Sequence, residues 1–399
     1  MDIRRPDLLV IAHAANRRVN RWVYRELRRR GLHIVLLVPA EIPLDVGVFK
    51  PEPQEQDDPE IVQLHMTGYS TRRWSYKGII KLLDDRQPRA VLLDLEPDSK
   101  LAFQIGPWAT RNGAQFYVQA CETMDASILA PLKSGRWKLA LRNGWLRISN
   151  MRARPHITGI FAISKPVEEC MKRRGYDGRT VIAPIGVEAS MFHPDAASRT
   201  RVRTELGLNK PVIAYFGRIM MEKGVALLVK ALHLLRDRDW QFLCEEPGSS
   251  SFGRELSTLV EKLGLRDRTI FFHASHDEMP AFINAADMVA VPSITTPDFE
   301  EQFGRVVSES MACGKAVVVS TSGALPWVLG GAGAVVPMRD VSSLADALAM
   351  LMDHPDYAAK LGALATKNVR ERLSITCQAD IMMKQFATTG LFVGKPAML

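Results

Sequence analysis

The chain has 399 residues, roughly two to three times the usual size of a domain, so more than one domain is expected. Apolar residues make up 47% and charged residues 24%, a balance that excludes a disordered or fibrous chain. Lys plus Arg number 52 against 44 Asp plus Glu, and the net charge of +8 points to anionic partners without choosing among phosphates, lipid surfaces and nucleic acid.

The first apolar run, Leu8–Ala15, is short and broken by His13, which fits a first β-strand better than a signal peptide. Asn16–Gly31 has helical spacing, with Val19, Val23 and Leu27 as its apolar stripe and a glycine at its end. Ile34–Pro39 reads as the next strand, and the acidic, proline-containing Pro51–Glu60 as a surface loop. Strands follow at Ala90–Leu95, Gln115–Gln119, Phe161–Ile163 and Val181–Pro184. A second alternation then begins, with strands at Val212–Phe216, Gln241–Cys244, Ile270–Phe272, Met288–Pro292 and Ala316–Ser320. Helices are predicted between them and after them, at Val225–Leu235, Leu256–Gly264, Met279–Ala286, Phe303–Cys313 and Ser342–Met352.

This alternation predicts an α/β protein built from two doubly wound, Rossmann-like domains. The joint is placed in Gly186–Thr200, giving domains 1–195 and 196–377, with the last helix, Gln378–Thr388 within 378–399, crossing back to the first domain. Cys121, Cys170, Cys244, Cys313 and Cys377 form no cluster of ligand spacing, and no run of about 18 apolar residues occurs. Neither a structural zinc, a disulfide framework nor a transmembrane helix is expected.

Two segments carry chemistry. In PVIAYFGRIMMEKGVALLVKALHLL a strand ends at Phe216, Gly217 permits a tight turn, and a helix begins near Gly224. Arg218 and Lys223 stand at the carboxyl end of that strand, where open α/β sheets bind ligands, and two cations beside a helix N-terminus suit a diphosphate. Two solvated charges flanking a turn are the alternative, and spacing does not decide between them. In PDFEEQFGRVVSESMACGKAVVVS, Glu301 sits at the mouth of a helix and Glu309 about two turns along. Carboxylates accept hydrogen bonds from sugar or ribose hydroxyls, and the N–H groups of Gln302, Phe303 and Gly304 can donate to phosphate. Helix capping by Glu301 and a solvated Glu309 are the plainer alternative.

Together the two segments resemble the C-terminal half of GT-B glycosyltransferases of family 4, the retaining, nucleotide-sugar-dependent group 1 type. The pattern G-R-x4-K-G reads GRIMMEKG over Gly217–Gly224, and E-x7-E reads EQFGRVVSE over Glu301–Glu309. A linker of the form G-V-x4-F-x-P reads GVEASMFHP over Gly186–Pro194. The resemblance implies two Rossmann-like domains facing across a cleft, the first for the acceptor and the second for a UDP-, GDP- or other nucleotide-sugar. It implies transfer of the sugar to a hydroxyl of a glycan or lipid-linked acceptor, with no cofactor and no essential divalent metal. Arg218 and Lys223 would then stabilise the leaving diphosphate, Glu301 the donor-sugar hydroxyls, Gln302–Gly304 the sugar or β-phosphate, and Glu309 the ribose. His273 stands where a glycine is usual near the base pocket, and Trp327 where a glutamate often follows the G-x-P turn.

The first half resembles the family more loosely: Glu96, Pro97 and Ser99 match the E-P-x-S stretch of some members, and the resemblance implies that Glu96, Gln119 and Glu122 lie on the acceptor side. Another enzyme of the same fold, a disaccharide phosphorylase or nucleotide-sugar epimerase, or an inactive peripheral membrane-binding protein, is the alternative.

Positive charge concentrates in two places. Arg17–Arg30 holds seven arginines with Glu26 the only acid among them, and 126–167 holds no acid at all while Lys133–Lys165 is rich in cations. Trp137, Leu141, Trp145 and Ile148 are interleaved at helical spacing in the second segment, the pattern of an interfacial helix on anionic lipid. Solvated faces with core tryptophans are the alternative. A nucleic-acid partner is not expected, because no nucleic-acid-binding motif accompanies the charge. The expected location is cytoplasmic, with peripheral attachment to the inner face of the cytoplasmic membrane through these two segments.

Overall fold

The computed structural model describes residues 5–44, 47–68, 70–124, 132–133 and 135–391. It divides into two units, Met1–Pro184 with Gln378–Leu399, and Ile185–Cys377.

The first unit opens with β1 (Leu8–Ile11), α1 (Trp22–Arg29) and β2 (Ile34–Pro39), followed by a ribbon of β3 (Ile42–Leu44) and β4 (Gly47–Phe49). Then come β5 (Glu60–Leu64), a ribbon of β6 (Met66–Thr67) and β7 (Ser75–Tyr76), α2 (Ile79–Arg86) and β8 (Ala90–Leu93). α3 (Lys100–Arg111), β9 (Gln115–Ala120), α4 (Trp137–Ala153), β10 (Gly159–Ala162), α5 (Lys165–Arg173) and β11 (Thr180–Ile182) follow. The main sheet is parallel throughout, in the order β11-β10-β9-β8-β1-β2-β5. LLVI, IVLLVP and AVLL are buried along their whole length, as strands covered on both faces must be. Chain order runs outward from β1 on either side, so the loops after β1 and β8 part and open a switch point between them.

The second unit contains α6 (Ala196–Glu205), β12 (Val212–Tyr215), α7 (Val225–Leu234), β13 (Gln241–Glu245), α8 (Ser251–Lys262), β14 (Thr269–Phe272) and α9 (Met279–Ala285). It continues with β15 (Met288–Val291), α10 (Arg305–Ala312), β16 (Ala316–Ser320), α11 (Leu325–Leu329), β17 (Ala334–Val336), α12 (Val341–Asp353) and α13 (Pro355–Arg372). This sheet is also parallel, in the order β14-β13-β12-β15-β16-β17, with its switch point between β12 and β15. On one face Val225, Leu228, Val229 and Leu232 of α7 pack with Leu344, Leu348 and Leu351 of α12.

α14 (Ile375–Thr388) starts in the second unit, and from Gln378 onward it belongs to the first. There the Phe386 ring lies edge-on to Tyr117 at 4.9 Å and to Phe161 at 5.6 Å. The division between units falls after Pro184, ahead of residue 195. Asn284 of α9 accounts for this: its Oδ1 accepts from the Asp195 N–H (3.0 Å) and its Nδ2 donates to the His193 carbonyl (2.9 Å), tying the linker to the second unit.

The first basic segment differs from the expected single amphipathic helix with a free basic face. Two 3-10 turns, His13–Asn16 and Arg18–Asn20, precede α1, held by the Arg21 guanidinium reaching back to the carbonyls of Ala15 (2.8 Å) and Asn16 (3.1 Å). Arg21 is fully buried and donates to Asp58 (2.8 Å), which also accepts from Arg25 (2.6 Å). Arg18 meets Glu55, Arg25 meets Glu55, and Arg29 meets Asp57, while Arg28 donates to the carbonyls of Gln56 and Asp58. Arg30 pairs with Glu26 and Asp380. The acidic loop 51–60 folds over α1 and takes up most of its charge. Burial works against ionisation of Asp58, yet the hydrogen bonds from Arg25, the Glu55 N–H and Arg21 hold its carboxyl below the usual range.

Candidate functional site

The loop after β12 is shaped by its glycines. Gly217 has φ +140, a conformation that residues with a Cβ avoid, and its N–H donates to Glu245 Oε2 at 3.3 Å. Arg218 follows, exposed, with its backbone carbonyl accepting from the Tyr215 hydroxyl at 2.8 Å. The turn Met221–Lys223 is 3-10, and Gly224 (φ +72) starts α7. A Cβ on Gly224 would lie 2.0 Å from the Pro292 carbonyl oxygen, so only glycine lets this loop pass so close to the end of β15. The Glu222 carbonyl accepts from the Ile294 N–H (2.8 Å) and fastens the two loops together.

That closeness brings Lys223 to Glu301, 78 positions away in sequence. Lys223 Nζ lies 3.1 Å from Oε1 and 2.8 Å from Oε2 of Glu301, and Oε2 also accepts from the Ser293 hydroxyl at 2.9 Å. Both side chains are mostly buried, and the Lys223 ammonium stands 5.0 Å from the centre of the Phe299 ring. The pair occupies the switch point between β12 and β15. A cation and a carboxylate neutralise each other here, and a ligand bearing a diphosphate and hydroxyls presents the same two partners in exchange.

The stretch after Glu301 leads into α10 through Gly304 (φ +81), with Gln302 exposed and Phe303 buried. Gly323 approaches the Glu301 carbonyl so closely that a Cβ there would sit 2.1 Å from that oxygen, which accepts from the Ala324 N–H at 2.8 Å. Backbone on both sides therefore fixes Glu301. Glu309, one helix face further on, is buried, and that burial raises its pKa despite Arg305, whose Nη2 is 3.3 Å from Oε1. Its described ion pair is thus with its own helix and not with Arg218 or Lys223. His273, just past β14, is exposed and near enough to Glu245 to work against the rise that burial gives the Glu245 pKa. Gly217, Glu245 and His273 thus mark the carboxyl ends of β12, β13 and β14 in turn. Ser293, Phe299 and Glu245 were given no role by the sequence motifs. Only their places just after β15 and at the end of β13 could have flagged them.

At the corresponding end of the first unit the expected acceptor residues come together. Glu96 follows β8, and its Oε1 accepts from the N–H groups of Cys121 (2.8 Å) and Glu122 (2.9 Å), just after β9. Its Oε2 is shut off from solvent and has no hydrogen-bond partner among the described residues. Burial pushes the Glu96 pKa up to about 7, which Arg174 opposes and Asp98 and Glu122 reinforce. Gln119 donates to Asp94 (3.2 Å), whose carboxyl burial raises to about 6. Two arginines that no motif marked complete the cluster. Arg72 donates to Glu122 (2.8 Å) and Asp98 (3.2 Å), and Arg174, almost fully buried, lies 4.0 Å from Asp98, its Nε and Nη1 having no hydrogen-bond partner among the described residues.

Residues 198–368 match the family model described as glycosyl transferases group 1. A D-inositol 3-phosphate glycosyltransferase of Xylanimonas cellulosilytica is 34% identical over 207 residues, covering 49% of this chain and 48% of its own length. A GDP-mannose-dependent alpha-(1-6)-phosphatidylinositol monomannoside mannosyltransferase of Mycolicibacterium smegmatis is 32% identical over 185 residues, 45% of this chain and 48% of that protein. The chain thus spans about half the length of the curated relatives it matches. Among solved structures, Anabaena Alr3699/HepE in complex with UDP and glucose aligns with TM-score 0.72 at 16% identity, over 96% of this chain and 99% of that one. Sucrose-phosphate synthase from Thermosynechococcus elongatus aligns with TM-score 0.70 at 20% identity, over 96% and 98%. Over 198–368 the chain is thus similar to group 1 glycosyl transferases, and as a whole it has the two-domain α/β fold of the GT-B glycosyltransferases.

Proposed function

We propose that the protein is a retaining glycosyltransferase that moves a sugar from a nucleotide diphosphate donor to a hydroxyl of a glycan or lipid-linked acceptor. The observation that carries this reading is the Lys223–Glu301 pair at the switch point, beside exposed Arg218. Donor binding exchanges the internal ion pair for external contacts: Lys223 and Arg218 turn to the diphosphate as ion pairs, and Glu301 accepts hydrogen bonds from the sugar hydroxyls. As the bond from the anomeric carbon to the phosphate oxygen breaks, the diphosphate leaves with the electron pair, and preorganised cations stabilise the developing charge. The acceptor oxygen bonds to the same face of the anomeric carbon, and its proton passes to a phosphate oxygen of the leaving group. Glu309 holds the ribose, and the backbone of Gln302–Gly304 borders the sugar. The acceptor hydroxyl is received at the carboxyl ends of β8 and β9, by Glu96, Gln119 and Glu122.

The nature of the relatives supports this reading, since one is GDP-mannose-dependent and one structural neighbour was solved with UDP-glucose. Nucleoside diphosphate release from a panel of UDP-, GDP-, ADP- and dTDP-sugars tests it. One donor should be turned over, with or without added acceptor, and proton NMR of the product should report the donor's own anomeric configuration. No release and no nucleotide binding across the panel would refute it. With charge stabilisation assigned to Arg218 and Lys223, added chelator should leave the rate unchanged.

A further inference from the structure

α4 has its amphipathicity turned outward. Trp137, Leu141, Trp145, Ile148 and Met151 are each between 53% and 66% exposed, although they recur at the spacing of one helix face. At about 100° per residue they fall within a sector of roughly 120°. The opposite face is the one that packs: Ala140, Asn143, Leu146, Asn150 and Ala153 are buried, and the Asn150 carbonyl accepts from the Tyr176 hydroxyl at 3.2 Å. A surface helix that hides Leu146 among small and polar residues and shows two tryptophans, Leu141, Ile148 and Met151 is built to be covered.

The charge around the stripe indicates by what. Lys138 and Arg142 flank the apolar sector on one side and Arg147 on the other, with Arg152 within it at the last turn; all four are exposed, and among the described residues none of them forms an ion pair. No acid occurs between positions 126 and 167. A second copy of this face would bring like charges together, and a nucleic acid would leave Leu141, Ile148 and Met151 without an apolar partner. A helix of 17 residues, about 25 Å long, with an apolar centre and a cationic rim matches the boundary of an anionic bilayer, where rings and aliphatics reach the acyl edge and cations meet headgroups. No described helix is long and apolar enough to cross a membrane. We propose that α4 lies flat on an anionic lipid surface, and that it alone of the two basic segments does so, since the arginines of α1 are occupied by loop 51–60.

The proposal stands apart from the transferase reading, because it is tested without donor or acceptor. In flotation assays the full chain should rise with vesicles of phosphatidylcholine containing phosphatidylglycerol, and at least about tenfold less with phosphatidylcholine alone. Replacing Trp137, Leu141 and Trp145 together by Ser should abolish flotation, while Leu364→Ser, an exposed apolar side chain on α13, should leave it intact. Lys138→Glu with Arg147→Glu keeps the apolar face, and should weaken binding by roughly fivefold or more for each cation, as should added salt. Equal flotation with neutral vesicles, or unchanged flotation of the charge-reversed and triple-Ser proteins, would overturn the proposal. So would light scattering without lipid that finds a dimer which the triple substitution turns into monomer, since a second copy would then cover the stripe.

Discussion

Two segments of the first unit have nearly the same charge in sequence and opposite fates in the fold. Arg17–Arg30 and Lys133–Arg154 are both arginine-rich with almost no acid among them. In the first, a loop some thirty positions downstream returns with Glu52, Glu55, Asp57 and Asp58 and takes the guanidinium groups inward, to the point that Arg21 has no exposed surface. In the second, Lys138, Arg142, Arg147 and Arg152 form no ion pair among the described residues and stay outside beside an apolar stripe. Lys223 is a third case, a mostly buried cation paired with Glu301, a partner that the proposed donor would replace. The comparison teaches that a cation's role follows from what the fold brings to it, and each case has its own signature under substitution.

The largest effect is expected where the charge is locked. Asp58→Ala leaves Arg21 buried without its carboxylate and removes an acceptor from Arg25, so it should destabilise the protein by about 3–5 kcal/mol in urea unfolding. A loss under about 1 kcal/mol would mean that the backbone carbonyls around Arg21 suffice, and that the acidic loop is incidental. Lowering pH should act in the same direction: the Asp58 carboxyl is held below its ordinary pKa of 3.8, so the stability it contributes is complete above that value and is lost as pH falls through the depressed one.

Where the partner is exchangeable, the effect should appear in rate. Lys223→Ala should reduce turnover roughly 10²–10³-fold if the ammonium stabilises the leaving diphosphate, and an unchanged rate would remove that role. It also strands Glu301 among Ser293 and backbone, so some stability is lost as well. Adding Glu301→Gln should restore stability without restoring rate. Recovery of both would make the pair structural.

The carboxylates of the first unit mirror these cations, buried with too little positive charge. Glu96 holds its proton up to about pH 7 in the folded state, against an ordinary value of 4.5, so the unfolded chain releases that proton first as pH rises. The sign is therefore a loss of stability between about pH 4.5 and 7, of roughly 3 kcal/mol at most. Glu96→Gln keeps an oxygen for the Cys121 and Glu122 N–H groups and should flatten that slope. A slope unaltered by the substitution would place the titration elsewhere, with Asp94 the next group to test.

Much of this was legible in the sequence, and the limit is physical. Fully buried parallel strands are continuous apolar runs, so β1, β2, β8, β12, β15 and β16 could be read from composition. Lys223 and Glu301 lie in segments whose glycines and spacing mark them, and the structure puts the two side chains in contact. Arg72 and Arg174 could not be found that way. They are 102 positions apart, each follows from its own helix or turn, and only the packing of three strand ends brings them to Glu96, Asp98 and Glu122. The loss of free charge on α1 was hidden for the same reason, because Arg21 and Asp58 are 37 positions apart and nothing local pairs them.

The smallest effect belongs to α4, and its smallness is the informative part. Arg142→Ala with Arg147→Ala removes two exposed cations from a helix that packs through its other face, so the change in unfolding free energy should stay within about 0.5 kcal/mol. The same substitutions at Arg21 and Arg25 would unbalance Asp58 and cost several times as much. If the α4 pair proves as costly, then acids reach it as they reach α1, its cations are structural, and the contrast between the two segments disappears. If stability holds while affinity for phosphatidylglycerol vesicles falls, the charge on α4 is directed outward, which a purely structural role would not produce.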